Sequence, residues 1–406
     1  MQKANRFLGG VLLISGTAIG AGMLAMPVTT AFAGFYPSLL LLIFFWLFMT
    51  CTALLYLEVN LAMPGESNLI TMAGKTLGTL GKGISWTVYL LLLYSLTAAY
   101  ISGSTPLFSK GIYFLFGWNM PTWFGPLPLL CVFALFIYLG TRSVDYINRI
   151  LMLGLALAYI LLVIFLPSEI DNELLQHADF SAVLLGIPVV ITSFGFHIII
   201  PSLTTYMKHD RKLLTWTIIL GSLIPFLVYV LWEWLLLGVV PLSGEYGLIK
   251  AWENGNSATQ SLEHILKTRW IATGATLFAF FAILTSFLGV SLSLSDFLAD
   301  GFKIKRTNGG RVLACLLTFI PPLGFVSLYP HGFILALQYA GIFVAILLGF
   351  LPACMAWKLP KPSFYASLKG KILLLSIMLI SIAVIAIDIL EQKGVLKMIV
   401  ANYLDK

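Results

Sequence analysis

Eleven apolar runs, each about as long as a bilayer crossing, follow one another along this chain: residues 7–32, 36–63, 84–109, 124–140, 149–167, 182–207, 213–240, 270–299, 312–328, 331–356 and 371–390. A hydrocarbon core ~30 Å thick is crossed by about 20 mainly apolar residues in a helix, and within it backbone groups must be satisfied inside that helix. The chain is therefore predicted to be an all-α integral membrane protein with eleven transmembrane helices. Composition agrees, with 59% hydrophobic and 10% charged residues, where a soluble domain has roughly 45–50% and 25%. The opening MQKANRF enters the first run without a small-residue cleavage site and reads as a retained helix, not a removed signal peptide.

The 24 Lys and Arg outnumber the 17 Asp and Glu, but their distribution reports topology rather than a nucleic-acid partner. With the N-terminus inside, 17 of the 24 fall on the inner side, among them Lys3, Arg6, Arg142, Lys208, Arg211, Arg306 and Lys361. The other side holds seven, and it carries the acidic segment SEIDNELLQHAD at 168–179. That asymmetry matches the positive-inside rule and puts the C-terminus outside.

Catalysis finds little support. Cys51, Cys131, Cys315 and Cys354 lie within apolar runs at no zinc-type spacing, and no nucleophile elbow, P-loop or dinucleotide fingerprint stands in a supporting context. Neither a catalytic residue, a metal nor a cofactor is implied.

Residues 16–27, GTAIGAGMLAMP, put Gly16, Gly20, Gly22 and Pro27 inside the first run. Residues 191–206, ITSFGFHIIIPSLTTY, repeat the design in the sixth run, with Gly195 followed by Pro201. Five runs precede the acidic segment and five follow before the last helix, and an odd repeat inverts in the membrane. Interrupted segments at matching positions of two inverted halves point to a transporter whose site lies near the midplane. The chain divides into a first five-helix repeat at 1–167, an external acidic loop at 168–181 and a second repeat at 182–356. Residues 357–406 then hold a cytoplasmic linker, the eleventh helix and an external tail.

The motifs GTAIGAGMLAMP, TSFGFH, LTAAYISG, TSFLGV followed by DFLAD, and PPLGFVSLYPHGFILALQYAGI resemble the bacterial aromatic amino acid permeases of the amino acid–polyamine–organocation superfamily, tyrosine permeases above all. The resemblance runs from the first span to the tenth. It implies a LeuT-type five-plus-five inverted repeat with one further helix, a bacterial inner membrane location, and symport of an aromatic amino acid with an ion.

Unwinding at Gly20 and Gly22 frees backbone groups that an intact helix would satisfy. The amides of Gly20, Ala21, Gly22 and Met23 then start a half-helix whose positive end suits a substrate carboxylate, while carbonyls near Thr17 and Ala18 suit a cation. Carbonyls at Thr192, Ser193 and Phe194 suit the substrate ammonium. Tyr94, Tyr100, Phe194, Phe196, Phe287 and Tyr339 are candidates to line an apolar slot, and His197 to bond a phenol or indole. Glu58 is a candidate proton carrier or inner gate, whereas the adjacent hydroxyls of Thr285 and Ser286 suit a sodium site. Glu233, between Trp232 and Trp234, reads as part of an interfacial belt. Coupling stays open between proton and sodium, and the substrate between tyrosine, tryptophan and phenylalanine. A channel or an intramembrane enzyme are the alternatives from other classes.

Overall fold

The computed structural model describes residues 2–63, 65, 67–121, 124–139, 141–266, 268–305, 307–359, 364–396, 400 and 403, and these residues form helices and turns. The side chains of Lys3, Arg142, Arg306 and Lys361 lie outside the described residues.

The first apolar run is two helices, α1 (Gln2–Ala18) and α2 (Gly22–Thr30), bent by 54° where they meet. Helix α3 (Phe35–Leu61) returns across the molecule. The Asn68 side chain caps α4 (Leu69–Phe116), accepting from the Thr71 amide at 2.9 Å. That helix turns at Gly78, whose φ of 74° is left-handed backbone that glycine adopts without strain. Then come α5 (Leu127–Leu139) and α6 (Thr141–Phe165). The acidic segment is a set of short turns, and α7 (Ile187–Ser193) and α8 (Ile200–Tyr206) make the second interrupted run. Helix α9 (Arg211–Val239) leads through the short α10 (Leu248–Glu253) and α11 (Ala258–Ile265) to α12 (Arg269–Gly301). Finally α13 (Asn308–Leu328), α14 (Phe333–Val344), a π-helical turn at Ala345–Phe350, α15 (Leu351–Trp357) and α16 (Leu368–Gln392) complete the chain.

Among the described residues nine helical segments are long and apolar enough to cross a membrane, and the bent α1–α2 pair makes ten. The protein is thus an all-helical, multi-pass membrane protein. Helix α5 is the short one. Its 13 residues reach only about 20 Å at 1.5 Å per residue, against ~30 Å of hydrocarbon.

Packing follows a paired scheme: α1 lies on α9 while α7 and α8 lie on α3, and α4 lies on α14 while α12 lies on α6. Helix α9 braces both interruptions. Tyr229, Trp232 and Glu233, three and four residues apart and so on one face, are all fully buried. The Trp232 indole donates to the Met23 carbonyl at 2.8 Å, and Glu233 Oε2 lies 2.9 Å from Thr30 Oγ1. This corrects the interfacial-belt expectation for Glu233, because tertiary contact with α2 takes both residues out of reach of a membrane surface.

Candidate functional site

The two interruptions face one cavity of about 480 Å³, within the ~300–1,000 Å³ range of small-molecule sites. From the first run it is lined by Thr17, Ala18, Gly20, Ala21 and Gly22, and from the second by Thr192, Ser193 and Gly195. Tyr100 on α4 and Thr285 and Ser286 on α12 close it. No Asp, Glu, Lys, Arg or His is in its lining, so any charged group of a ligand must be met by backbone, hydroxyls and helix ends.

Close approach explains the glycines. A Cβ on Gly20 would stand 2.5 Å from Ser286 Oγ, and one on Gly22 would stand 2.7 Å from Ser193 Oγ. Those contacts are far inside ordinary van der Waals distance, so a side chain at either position would push a serine hydroxyl out of its place on α12 or α7. Ser286 uses the closeness: its Oγ accepts from the Ala21 amide at 3.0 Å. The amides of Gly20 and Gly22 have no hydrogen-bond partner among the described residues. They stand at the N-terminus of α2, where the helix dipole favours an anion.

On the opposite side of the break, the Tyr229 hydroxyl lies 2.6 Å from the Ala18 carbonyl and 2.9 Å from the Ser193 carbonyl. A phenol has one hydrogen to donate. At any moment one of these two carbonyls is therefore left for another donor, and each belongs to a different interrupted run. Thr192 and Ser193 spend their hydroxyls on Pro188 and Val189 carbonyls one turn earlier, at 2.7 and 2.8 Å. Thr285 does likewise with the Phe281 carbonyl at 2.9 Å.

Several candidates from the sequence lie outside the cavity lining. Met23 is fully buried and its carbonyl accepts from Trp232. The Tyr94 hydroxyl donates to the Leu317 carbonyl at 2.9 Å. Phe194 packs edge-on against Tyr229, Phe287 against Phe133 and Phe319, and Tyr339 against Phe325. Phe196 stacks on His197, whose Nε2 lies 2.9 Å from Thr52 Oγ1. Each is turned to neighbouring helices, Phe194 and Phe196 from within the break itself, and an apolar span does not reveal its facing in sequence. Glu58 also lies away from the cavity. It is ion-paired with Arg211 at 2.6 Å, tying the end of α3 to the start of α9.

Tyr89, Met152, Ser202 and Ser293 line the cavity without having been singled out, as does Asn148, whose Oδ1 is buried and without a partner among the described residues. Asn148 carried a faint signal as an amide at the edge of an apolar run. Tyr229 carried one in its spacing with Trp232 and Glu233.

Residues 3–388 match the model of the tryptophan/tyrosine permease family. Tyrosine-specific transport system 1 of Haemophilus influenzae is 35% identical over 402 residues, covering 98% of this chain and 100% of the relative. A tryptophan-specific transport protein of the same organism is 32% identical over 379 residues, covering 89% and 91%. Among solved structures, MhsT in complex with L-phenylalanine superposes with a TM-score of 0.63 at 15% identity, covering 94% of this chain and 98% of that one, which shows a shared, LeuT-like fold. With two interrupted spans around one uncharged cavity and a family match along nearly its whole length, the chain belongs to the tryptophan/tyrosine permease family.

Proposed function

We propose that this protein imports aromatic amino acids, tyrosine foremost, across the bacterial cytoplasmic membrane by proton symport through alternating access. The observation that carries this reading is the uncharged cavity between the two breaks, bordered by the unbonded amides of Gly20 and Gly22. The substrate carboxylate binds at those amides. Its ammonium takes the carbonyl that the Tyr229 hydroxyl leaves free, and its ring lies against Tyr100, Tyr89 and Leu337. Tyrosine- and tryptophan-specific relatives support the aromatic class. A site without an acidic side chain suits a zwitterion better than a cationic amino acid.

The reading includes eleven spans in two inverted sets, 1–167 and 182–356, with N-terminus inside. The paired packing of α1 on α9 with α8 on α3, and of α4 on α14 with α12 on α6, supports the inversion. Beyond the breaks the cavity continues along Gly16, Ile199 and Ser202, the halves nearer the basic side, so this is an inward-facing form. Reporter fusions after Lys208 and after Asp171 should read cytoplasmic and external; the reverse would end the inversion argument.

Proton coupling follows the resemblance to the aromatic amino acid permeases. The Thr285 hydroxyl, which donates to the Phe281 carbonyl at 2.9 Å, keeps its oxygen lone pairs, so sodium is the alternative that the gradients must separate. The test is uptake of labelled tyrosine into vesicles under a pH gradient and, separately, a sodium gradient, with an amino acid panel as competitors. Sodium-driven uptake at equal pH, lost in Thr285→Ala, would overturn the proton assignment. Preferential competition by tryptophan would move the substrate within the aromatic class.

A further inference from the structure

We propose that Glu233 is the residue that carries the coupling proton, loaded from an outer cavity beside the acidic segment. This rests on the proton symport reading above. The carboxyl is fully buried, on the α9 face that holds both halves of the first span. Its Oε1 has no partner among the described residues. Its Oε2 lies 2.9 Å from Thr30 Oγ1, which lies 2.8 Å from the Met26 carbonyl.

Hydrogen counting leaves room for a proton on the carboxyl. The Thr30 hydroxyl has one hydrogen, and the Met26 carbonyl can only accept. With that hydrogen given to Met26, the contact with Glu233 is satisfied when the carboxylic acid donates to Thr30 Oγ1. When the proton leaves, the hydroxyl must turn to donate to the carboxylate and release Met26, at the last turn of α2. Proton loss is thereby linked to the end of the helix whose beginning holds the substrate amides.

Among the described residues, the charged groups on the elements packed around it are engaged or turned away; on α10, which packs on α2, Lys250 is paired with Glu253 at 2.8 Å. Helix α2 has no titratable side chain, and Lys3 and Arg6 are at the far end of α1. On α3, Tyr36 is exposed, Glu58 is held by Arg211, and the buried Tyr56 lies edge-on to His197. Glu169 is exposed at the start of the acidic segment. On α11, Glu263 is paired with Lys110 and His264 stacks on Tyr246. The Tyr159 hydroxyl donates to the Val228 carbonyl.

A route exists. A second cavity of about 210 Å³ has Glu173 and His177 in its wall and reaches Ala31 and Leu237. Ala31 follows Thr30 directly, and Leu237 is one turn, about 6 Å, beyond Glu233 along α9. That volume holds several waters, and it lies on the acidic, outer side.

The test uses the full chain in liposomes containing a pH-sensitive dye. Wild-type protein should acidify the lumen when tyrosine is added outside, and a pH gradient of one unit coupled to one proton should support about tenfold accumulation. Glu233→Gln should lose both the acidification and the accumulation, while tyrosine still raises its Tm in detergent; Glu169→Gln should accumulate like wild type. In Thr30→Val the anion loses a charge-assisted bond and the acid only a neutral one, so the pH of half-maximal uptake should rise by about one unit; a merely structural role for Thr30 would leave it in place. Proton-driven accumulation retained in Glu233→Gln, or an unmoved pH midpoint in Thr30→Val, overturns the assignment while leaving symport intact. A wild type that moves no protons with tyrosine overturns the symport reading and this proposal together.

Discussion

A methyl group at Gly20 would sit 2.5 Å from Ser286 Oγ, about 1 Å inside normal contact. The Ser286 hydroxyl must then leave its position, and with it the 3.0 Å bond to the Ala21 amide. Leaving that amide unsatisfied costs about 1–3 kcal/mol, and the overpacking adds about the same if α12 cannot move. Where α12 gives way, the lost bond alone should weaken tyrosine binding in Gly20→Ala by about 5–150-fold. Ser286→Ala loses the same bond without a clash and should cost about 1–2 kcal/mol. The double variant is the decisive one. With the hydroxyl gone, the added Cβ faces Ser286 Cβ at 3.7 Å, an ordinary contact, so Gly20→Ala should cost almost nothing more on the Ser286→Ala background. Binding of labelled tyrosine to purified protein gives the cycle, with Tm as the fold control. Additive losses in the double variant would refute the close-approach account of Gly20, and full-affinity binding by Gly20→Ala would refute the broken-helix site.

Tyr229→Phe removes the hydroxyl that spans the Ala18 and Ser193 carbonyls and should weaken tyrosine binding about tenfold, by ~1–3 kcal/mol; unchanged affinity and uptake would show that the bridge does not order the site. Glu58→Gln and Arg211→Gln break an ion pair whose arginine is 70% exposed, so each should cost only about 0–1 kcal/mol and leave proton-driven uptake within a few-fold of wild type. Uptake lost in a well-folded Glu58→Gln would return that carboxyl to the mechanism. In the acidic segment, hydrogen bonds from Ser181 and Tyr403 hold the Asp179 carboxyl below the usual carboxylate range. A lowered folded-state value stabilises above the unfolded pKa, so the Tm deficit of Tyr403→Phe should be full at neutral pH and fade as pH falls below about 4; a deficit independent of pH would remove the carboxylate from that contact.

The sequence by itself determined what is local. Long apolar runs dictate helices in a membrane because lipid offers backbone groups no partner. The glycines at 20, 22 and 195 mark the two breaks because glycine alone tolerates unwound and tightly approached backbone at little cost. Basic residues outside the runs carry the orientation signal. Facing was not legible: a helix apolar all round shows no stripe that says which side meets protein, lipid or cavity. That is why Tyr100 reaches the cavity while Tyr94, two turns earlier on the same helix, bonds the Leu317 carbonyl instead. Pairings between distant segments were equally hidden. Arg211 against Glu58, Tyr229 against the Ala18 carbonyl and Thr30 beside Glu233 join residues 153 to 211 positions apart, and only the packing of α9 on the broken span and on α3 brings them together. The tertiary structure thus decided which of the scattered polar groups act as a unit, because a buried carboxyl or hydroxyl takes its chemistry from the neighbours that packing gives it.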